Sequence, residues 1–113
     1  MITVYGIKNC DTVKKALAWL DSHSRPYHFH DYRKDGLSPE LLSMLEGRLG
    51  WDVMVNRRGT TWRGLPDDTR ANLNREKALQ LMLSYPAIIK RPIIIRDDNV
   101  LLGFDAEAYA NRL

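Results

Sequence analysis

The chain has 113 residues, of which 44% are hydrophobic and 27% charged. These values are close to the globular average and exclude wholesale disorder and fibrous architectures, so we expect residues 1–113 to form a single domain. The net charge of +3 comes without a dense basic stripe, which argues against a nucleic-acid partner. No apolar run approaches the roughly 20 residues of a membrane span, and the start lacks the pattern of a secretory signal. We therefore expect a cytoplasmic protein without a membrane partner.

The first third of the chain is predicted to form a strand, a helix and a second strand. Residues 2–5 are β-branched or aromatic and stop at Gly6, which predicts a short strand. Residues 11–22 repeat apolar side chains every three or four positions and predict an amphipathic helix. After Pro26, residues 27–32 alternate as a strand does. A crossover helix between two strands implies that the strands are parallel.

The middle of the chain predicts a helical insert over about residues 38–85. Ser38 and Pro39 suit the start of a helix that runs to about Leu49. Residues 57–63 show no period and predict a loop. The segments 66–72 and 74–84 predict two further helices.

The end of the chain predicts a β-hairpin and a helix. Residues 92–96 and 100–104 are apolar and flank a turn at residues 97–99. Asp105 suits the cap of a final helix through Arg112. This order of elements predicts an α/β fold, a thioredoxin-like sandwich with a mixed sheet.

Cys10 is the only cysteine, so the chain has no internal disulfide. It falls between the first strand and the first helix, where backbone N–H groups and the helix dipole lower the pKa of a thiol. Lys8 and Lys14 add positive charge nearby, whereas Asp11 opposes it. A buried structural cysteine is the alternative interpretation.

Several segments in order resemble the ArsC/Spx family, and within it the short bacterial YffB proteins. The segments are residues 5–15 (YGIKNCDTVKK), 30–37 (HDYRKDGL), 56–63 (NRRGTTWR), 86–92 (PAIIKRP) and 101–104 (LLGF). The resemblance covers almost the whole chain. It implies an ArsC-like, thioredoxin-like (glutaredoxin-like) fold with a helical insert, and the activity of a glutathione-dependent thiol reductase.

The resemblance also implies roles for single residues. Cys10 matches the nucleophilic cysteine of the family, and Arg58 and Arg91 match two arginines that hold the oxyanion in arsenate reductases. A guanidinium fork suits such a ligand. Pro92 matches the cis-proline beside the thiol, and the loop before it would expose backbone of Lys90 and Arg91 for pairing with an extended peptide such as glutathione.

Two further residues near the thiol are candidates. Lys8 would hold an anion, and the Thr12 hydroxyl would bond the thiolate or the bound anion. A third family arginine falls near Leu102, where this chain has no cation, and this departure weakens the case for arsenate. Spx regulators carry a second cysteine at the position of Val13, so a Cys-x-x-Cys switch is impossible here.

With one cysteine, the predicted catalytic cycle takes its second thiol from glutathione as co-substrate, with no tightly bound cofactor. The expected partners are glutathione and a small oxidised thiol or an oxyanion, and we expect a monomer. Three alternatives stay open: a glutathione-coupled arsenate reductase, an Spx-like regulator that binds RNA polymerase, and a thioredoxin-like fold that has lost its chemistry.

A metal site is the weakest candidate. His28 and His30 alternate onto one face of the second predicted strand, but no third ligand is spaced nearby. We therefore expect no metal.

Overall fold

The computed structural model describes all residues, Met1–Leu113. The chain forms two compact units. The sheet unit comprises Met1–Gly36 and Arg91–Leu113, and the helical unit comprises Leu37–Lys90. A single domain over residues 1–113 stays a prediction.

The sheet unit contains one four-stranded mixed sheet, as the sequence predicted. Its strands are β1 (Ile2–Gly6), β2 (Tyr27–Asp31), β3 (Ile93–Arg96) and β4 (Asn99–Leu102), in the spatial order β2-β1-β3-β4. β1 and β2 are parallel, which confirms the predicted crossover. β3 runs antiparallel to β1, and a short hairpin reverses the chain so that β4 is antiparallel to β3.

The hairpin turn is shorter than predicted. Arg96 pairs with Asn99, so only Asp97 and Asp98 form the turn, and Asp97 has a positive φ of 52°. Aspartate is one of the residues that tolerates this backbone region. The second strand of the hairpin, β4, also ends at Leu102, two residues before the predicted end.

Helix α1 (Asp11–Ser22) has the predicted bounds and buries Val13, Ala16 and Leu20. Its first turn lies against the end of β1. A Cβ on Gly6 would meet Val13 Cγ2 at 2.9 Å, so this position has room only for glycine unless Val13 moves. Gly6 therefore lets the first strand and the first helix approach closely just before Cys10.

The helical unit contains two helices of ten or eleven residues and several single turns. They are α2 (Pro39–Leu49), α3 (Trp51–Met54), α4 (Thr60–Arg63), α5 (Asp67–Ala71), α6 (Arg75–Ser84) and a 3₁₀ turn at Pro86–Ile88. The prediction of a loop over residues 57–63 was wrong at α4, and α3 was not predicted. A four-residue helix is too short to show a period in the sequence.

The unit has its own small core, and one isolated bridge joins the middle of its chain to its end. Val55 pairs antiparallel with Ile89. The N–H of Asn56 donates to the Ile88 carbonyl and that of Lys90 donates to the Met54 carbonyl, each at 2.8 Å. The buried apolar side chains of the unit are Leu42, Leu45, Met54, Val55, Ala78, Met82, Ile88 and Ile89.

One face of the sheet carries the core of the sheet unit. The final helix, α7 (Ala106–Arg112), begins after Asp105, whose side chain accepts from the N–H groups of Glu107 and Ala108. Its buried Tyr109 donates a 2.5 Å hydrogen bond to the Gly103 carbonyl. The core cluster consists of Ile2, Val4, Ala16, Leu20, Ile94, Leu101, Tyr109 and Leu113. Because side chains alternate along a strand, Tyr5 points to the other face.

Candidate active site

Cys10 is the N-cap residue of α1. Its backbone is extended, with φ −128° and ψ 125°, and its carbonyl accepts the first helical hydrogen bond, from the Lys14 N–H at 2.9 Å. The thiol is free and partly exposed. The predicted position at the helix N-terminus is therefore confirmed.

The surroundings of Cys10 lower the pKa of its thiol. Partial burial, the largest single influence, raises the pKa, but the backbone N–H of Val13, the Arg91 guanidinium and the backbone N–H of Thr12 together outweigh it. The thiol side chain makes no regular capping hydrogen bond, so the two N–H groups act as nearby dipoles. The result is a thiol that ionises more readily than a free cysteine.

Arg91 belongs to the same unit as Cys10 and is half-buried. Its guanidinium lies near enough to Cys10 to lower the pKa of the thiol, through hydrogen bonding to the sulfur and Coulombic attraction to the thiolate. The Arg91–Pro92 peptide bond is cis, which confirms the prediction for Pro92. The Pro92 carbonyl accepts from the Gly103 N–H at 2.8 Å. A cation with several N–H donors beside a thiol can hold an anionic reactant there.

Arg58 and Lys90 lie in the helical unit, and both side chains are exposed. They line a cavity of about 350 Å³ together with Val55, Asn56 and Arg57. The Lys90 N–H already donates to the Met54 carbonyl, so it is not available to an extended peptide. The roles of Arg58 and Lys90 in anion binding stay predictions.

Arg57 is distinguished from Arg58 by its partners. It forms a salt bridge with Asp52 at 2.5 Å, and its guanidinium carbon lies 5.5 Å from the centroid of the Trp62 ring. These contacts fix the Arg57 side chain on its own unit.

Lys8 and Thr12 lie on either side of Cys10 in the sequence. Lys8 is exposed and Thr12 is half-buried. The structure shows the Thr12 N–H, rather than its hydroxyl, acting on the thiol. The predicted roles of the Lys8 ammonium and the Thr12 hydroxyl in binding stay predictions.

Tyr32 is a feature of the site that the sequence did not reveal. It lies directly after β2, is only 3% exposed, and its hydroxyl has no hydrogen-bond partner. Burial, and then the neighbouring Tyr5, raise the pKa of this phenol, while Arg91 opposes the shift. The neutral Tyr32 hydroxyl thus lies within electrostatic range of the arginine that contacts Cys10. The strand pattern gave no sign of this, since it predicted only that residue 32 ends a strand.

We expect Tyr32→Phe to leave the free energy of unfolding unchanged or to raise it by about 1 kcal/mol. An unsatisfied buried hydroxyl costs roughly that much, and phenylalanine has nearly the same shape. Urea unfolding of the variant beside Tyr85→Phe, which changes an exposed tyrosine, measures the difference. A loss of more than about 1 kcal/mol only in Tyr32→Phe would show that the hydroxyl is bonded after all.

The two histidines of β2 are not part of a metal cluster. The His30 ring nitrogen Nε2 lies 2.7 Å from the Gly36 carbonyl oxygen, and its ring centroid is 5.4 Å from that of Tyr5. His28 is exposed. No group of three His, Cys, Asp or Glu side chains in the structure has the arrangement of a metal site.

A family model described as the ArsC family matches residues 5–111. The chain belongs to the ArsC family. An uncharacterised protein of Haemophilus influenzae is 51% identical over 109 residues, which are 96% of each chain. The global transcriptional regulator Spx of Listeria innocua is 30% identical over 95% of this chain and 82% of its own length. A solved YFFB protein has a TM-score of 0.90 at 44% identity, over 98% of this chain and 97% of its own.

This ArsC-family chain has the thioredoxin-like fold of its structural neighbours, which confirms the predicted fold class. The same fold occurs in a solved arsenate reductase from Vibrio cholerae, which has a TM-score of 0.82 at 21% identity. None of the helices of this chain is long and apolar enough to cross a membrane. The cytoplasmic location and the monomeric state stay predictions.

Proposed function

We propose that this protein is a glutathione-dependent thiol–disulfide reductase with Cys10 as its single nucleophile. The observation that carries the proposal is the partly exposed Cys10 thiol at the start of α1, with its pKa lowered by two backbone N–H groups and by Arg91. A thiolate is the form that attacks a disulfide. Glutathione is a proposed co-substrate, because a chain with one cysteine needs an external thiol to complete the cycle.

The proposed cycle has two exchanges. The Cys10 thiolate attacks the glutathione sulfur of a mixed disulfide, the old S–S bond breaks, and the departing thiolate takes a proton from water. The enzyme now carries a Cys10–glutathione disulfide. A second glutathione thiolate attacks the glutathione sulfur of this adduct, forms oxidised glutathione and releases the Cys10 thiolate. In the net reaction one glutathione thiol is consumed and one substrate thiol is released, and the glutathione half of the mixed disulfide leaves as part of oxidised glutathione.

Arg91 has two functions in this cycle. It stabilises the Cys10 thiolate, both as the attacking group and as the group released in the second exchange. Its guanidinium is also the proposed ligand for a carboxylate of glutathione. Lys8 is a further proposed ligand on the exposed side of the Cys10 loop, whereas the contribution of Arg58 rests on the family resemblance alone.

Reduction of hydroxyethyl disulfide, followed through NADPH and glutathione reductase, tests the proposal. We expect turnover that requires glutathione, and one glutathione adduct per chain after exposure to oxidised glutathione, measured by intact mass. Glutathione first exchanges with this disulfide and gives the mixed disulfide on which the proposed cycle acts. Turnover equal to the uncatalysed rate, with no adduct, would contradict the proposal.

Arsenate reduction is the second candidate activity. Membership of the ArsC family and the Arg91 guanidinium at the thiol favour it, while the lack of a cation at residues 102–103 argues against it. In that reaction the thiolate attacks arsenic, and two glutathiones supply the two electrons. The test is whether the protein consumes glutathione when arsenate is added. Such consumption by a protein that does not reduce disulfides would favour arsenate reduction over the reductase function.

The third candidate function is not enzymatic: a regulator that binds RNA polymerase. Its support is the 30% identity to the Spx regulator of Listeria innocua. Against it, Val13 occupies the position of the second cysteine and is buried, so no intramolecular disulfide can report oxidation. Retention of purified polymerase by this immobilised protein, together with no turnover on disulfides, would favour the regulator.

A further inference from the structure

A second pocket lies within the sheet unit, beside the loop that carries Cys10. Its volume is about 250 Å³, and it is lined by Lys8, Leu17, Phe29, Asp31, Lys34 and Asp35. Drug-sized ligands occupy pockets of roughly 300–1,000 Å³. This pocket is therefore suited to a fragment the size of one amino acid rather than to a whole tripeptide. We call it the Lys8–Lys34 pocket.

The pocket combines an apolar floor with charges of both signs. Leu17 and Phe29 are half-buried, whereas Lys8 and Lys34 are exposed and form no salt bridge. Unpaired ammonium groups at a pocket rim are available to a carboxylate.

The two carboxylates of the pocket are held in place by the backbone. Asp31 Oδ1 accepts from the Arg33 N–H and Asp35 Oδ2 accepts from the Asp31 N–H, both at 2.9 Å. These bonds use one oxygen of each carboxylate and fix its orientation. The other oxygen can accept from the ammonium of a ligand.

The position of the pocket connects it to the reactive sulfur. β1 and β2 are parallel, so the segments after their carboxyl ends meet at one edge of the sheet, and the Tyr32 N–H donates to the Gly6 carbonyl at 2.9 Å there. In open α/β sheets, ligands bind at this edge. Lys8 is two residues from Cys10, at most about 7 Å between their Cα atoms. Leu17 lies two turns along α1 on the same side as Cys10.

We propose that the Lys8–Lys34 pocket binds the zwitterionic head group of an α-amino acid whose sulfur reacts at Cys10. The two lysines bind the carboxylate, the two aspartates bind the ammonium, and Leu17 and Phe29 contact the aliphatic stem. The inference rests on the proposed reductase function and names its substrate class: disulfides of amino acids and of γ-glutamyl peptides. Cys10 attacks the sulfur of the bound half, and the other half leaves as the thiolate.

A series of disulfides that differ only in head group tests this assignment by turnover. Cystine carries both charges, cystamine the ammonium, dithiodipropionate the carboxylate, and hydroxyethyl disulfide neither. We expect kcat/KM to be highest for cystine. We also expect Lys34→Glu to lower the ratio of cystine to hydroxyethyl disulfide turnover by roughly five- to tenfold, because a reversed charge replaces attraction by repulsion. Lys15→Glu, which makes the same change at an exposed position of α1 outside the pocket, should leave this ratio as it is.

The same variant separates the two sources of such a head group. If the γ-glutamyl end of glutathione occupies the pocket, Lys34→Glu raises the KM for glutathione even when hydroxyethyl disulfide is the substrate. If the substrate occupies it, the kcat/KM falls for the two disulfides that carry a carboxylate, cystine and dithiodipropionate, and the KM for glutathione is unchanged. Equal effects of Lys34→Glu and Lys15→Glu on all four disulfides would overturn the proposal.

A binding measurement makes the pocket testable without turnover. S-methylcysteine has the head group but no reactive sulfur, and 2-(methylthio)ethanol lacks the charges. We expect S-methylcysteine alone to shift the backbone amide signals of Asp31 and Lys34 in NMR spectra, with loss of the shifts in Lys34→Glu. Such binding in a protein without disulfide turnover would contradict the reductase function alone. Turnover without head-group preference or binding would contradict the pocket assignment alone.

Discussion

Replacing Cys10 by serine is expected to reduce glutathione-dependent disulfide turnover by at least roughly three orders of magnitude, to the uncatalysed rate. A serine hydroxyl is not ionised near neutral pH, and it cannot form the mixed disulfide on which the proposed cycle depends. Cys10 is the only cysteine in the chain, so its thiol is the only one that can form a mixed disulfide. No other side chain can replace it.

The fold of Cys10→Ser should be intact, which makes the loss of activity interpretable. Serine is a preferred N-cap residue, and Cys10 occupies the N-cap position of α1 with an extended backbone. We therefore expect equal or slightly higher stability in urea unfolding and an unchanged circular dichroism spectrum. Disulfide turnover that persists in this folded variant would exclude Cys10 as the nucleophile.

Replacing Arg91 by methionine is expected to have the second-largest effect. The change removes the guanidinium that lowers the pKa of the Cys10 thiol while keeping much of the apolar stem. A hydrogen bond from a charged group contributes roughly 1.5–3 kcal/mol. Turnover at neutral pH should fall by roughly ten- to a hundredfold, because less thiolate is present and an anionic reactant is held less well.

The pH dependence of Cys10 alkylation separates these two causes. The native thiol has a lowered pKa, so its alkylation rate rises at a lower pH than that of a free cysteine, and Arg91→Met should move the rise to higher pH. Arg91→Lys keeps the charge but loses the fork, and it should retain part of the shift. Arg33→Met removes an exposed arginine of the same unit as a control. An alkylation profile unchanged in Arg91→Met would contradict the role of Arg91 at the thiolate.

The same shift predicts a small dependence of stability on pH. Because the folded thiol has a lower pKa than the unfolded one, ionisation of Cys10 favours the folded state above the unfolded pKa. This contribution is lost as the pH falls through the folded pKa. In Arg91→Met this contribution should be smaller, and it should be fully lost at a higher pH than in the unchanged protein.

Local patterns in the sequence were sufficient to predict the elements that position the thiol. The apolar repeat of residues 11–22 predicted α1 with its observed bounds, and the strand before it predicted where Cys10 lies. Short-range features of this kind depend on neighbouring residues only. The cis form of the Arg91–Pro92 bond was predicted from the family resemblance, since general X-Pro statistics favour trans.

The short helices of the helical unit show where such reasoning fails. α3 and α4 have four residues each and no cap hydrogen bond from a side chain. Helices of this length are not stable by themselves, so the packing of the unit, rather than local propensity, forms them.

The sequence by itself determined the order of the strands and of the longer helices, the family, and the presence of one thiol at the start of α1. Only the tertiary structure showed that the Arg91 guanidinium lowers the pKa of the Cys10 thiol, that Tyr32 is buried with an unpaired hydroxyl, and that Lys8 and Lys34 share a pocket. The residues of each group are brought together by sheet pairing and by the turns that follow the strands. Local patterns end within one element, and these groupings depend on distances between elements that only the folded chain fixes.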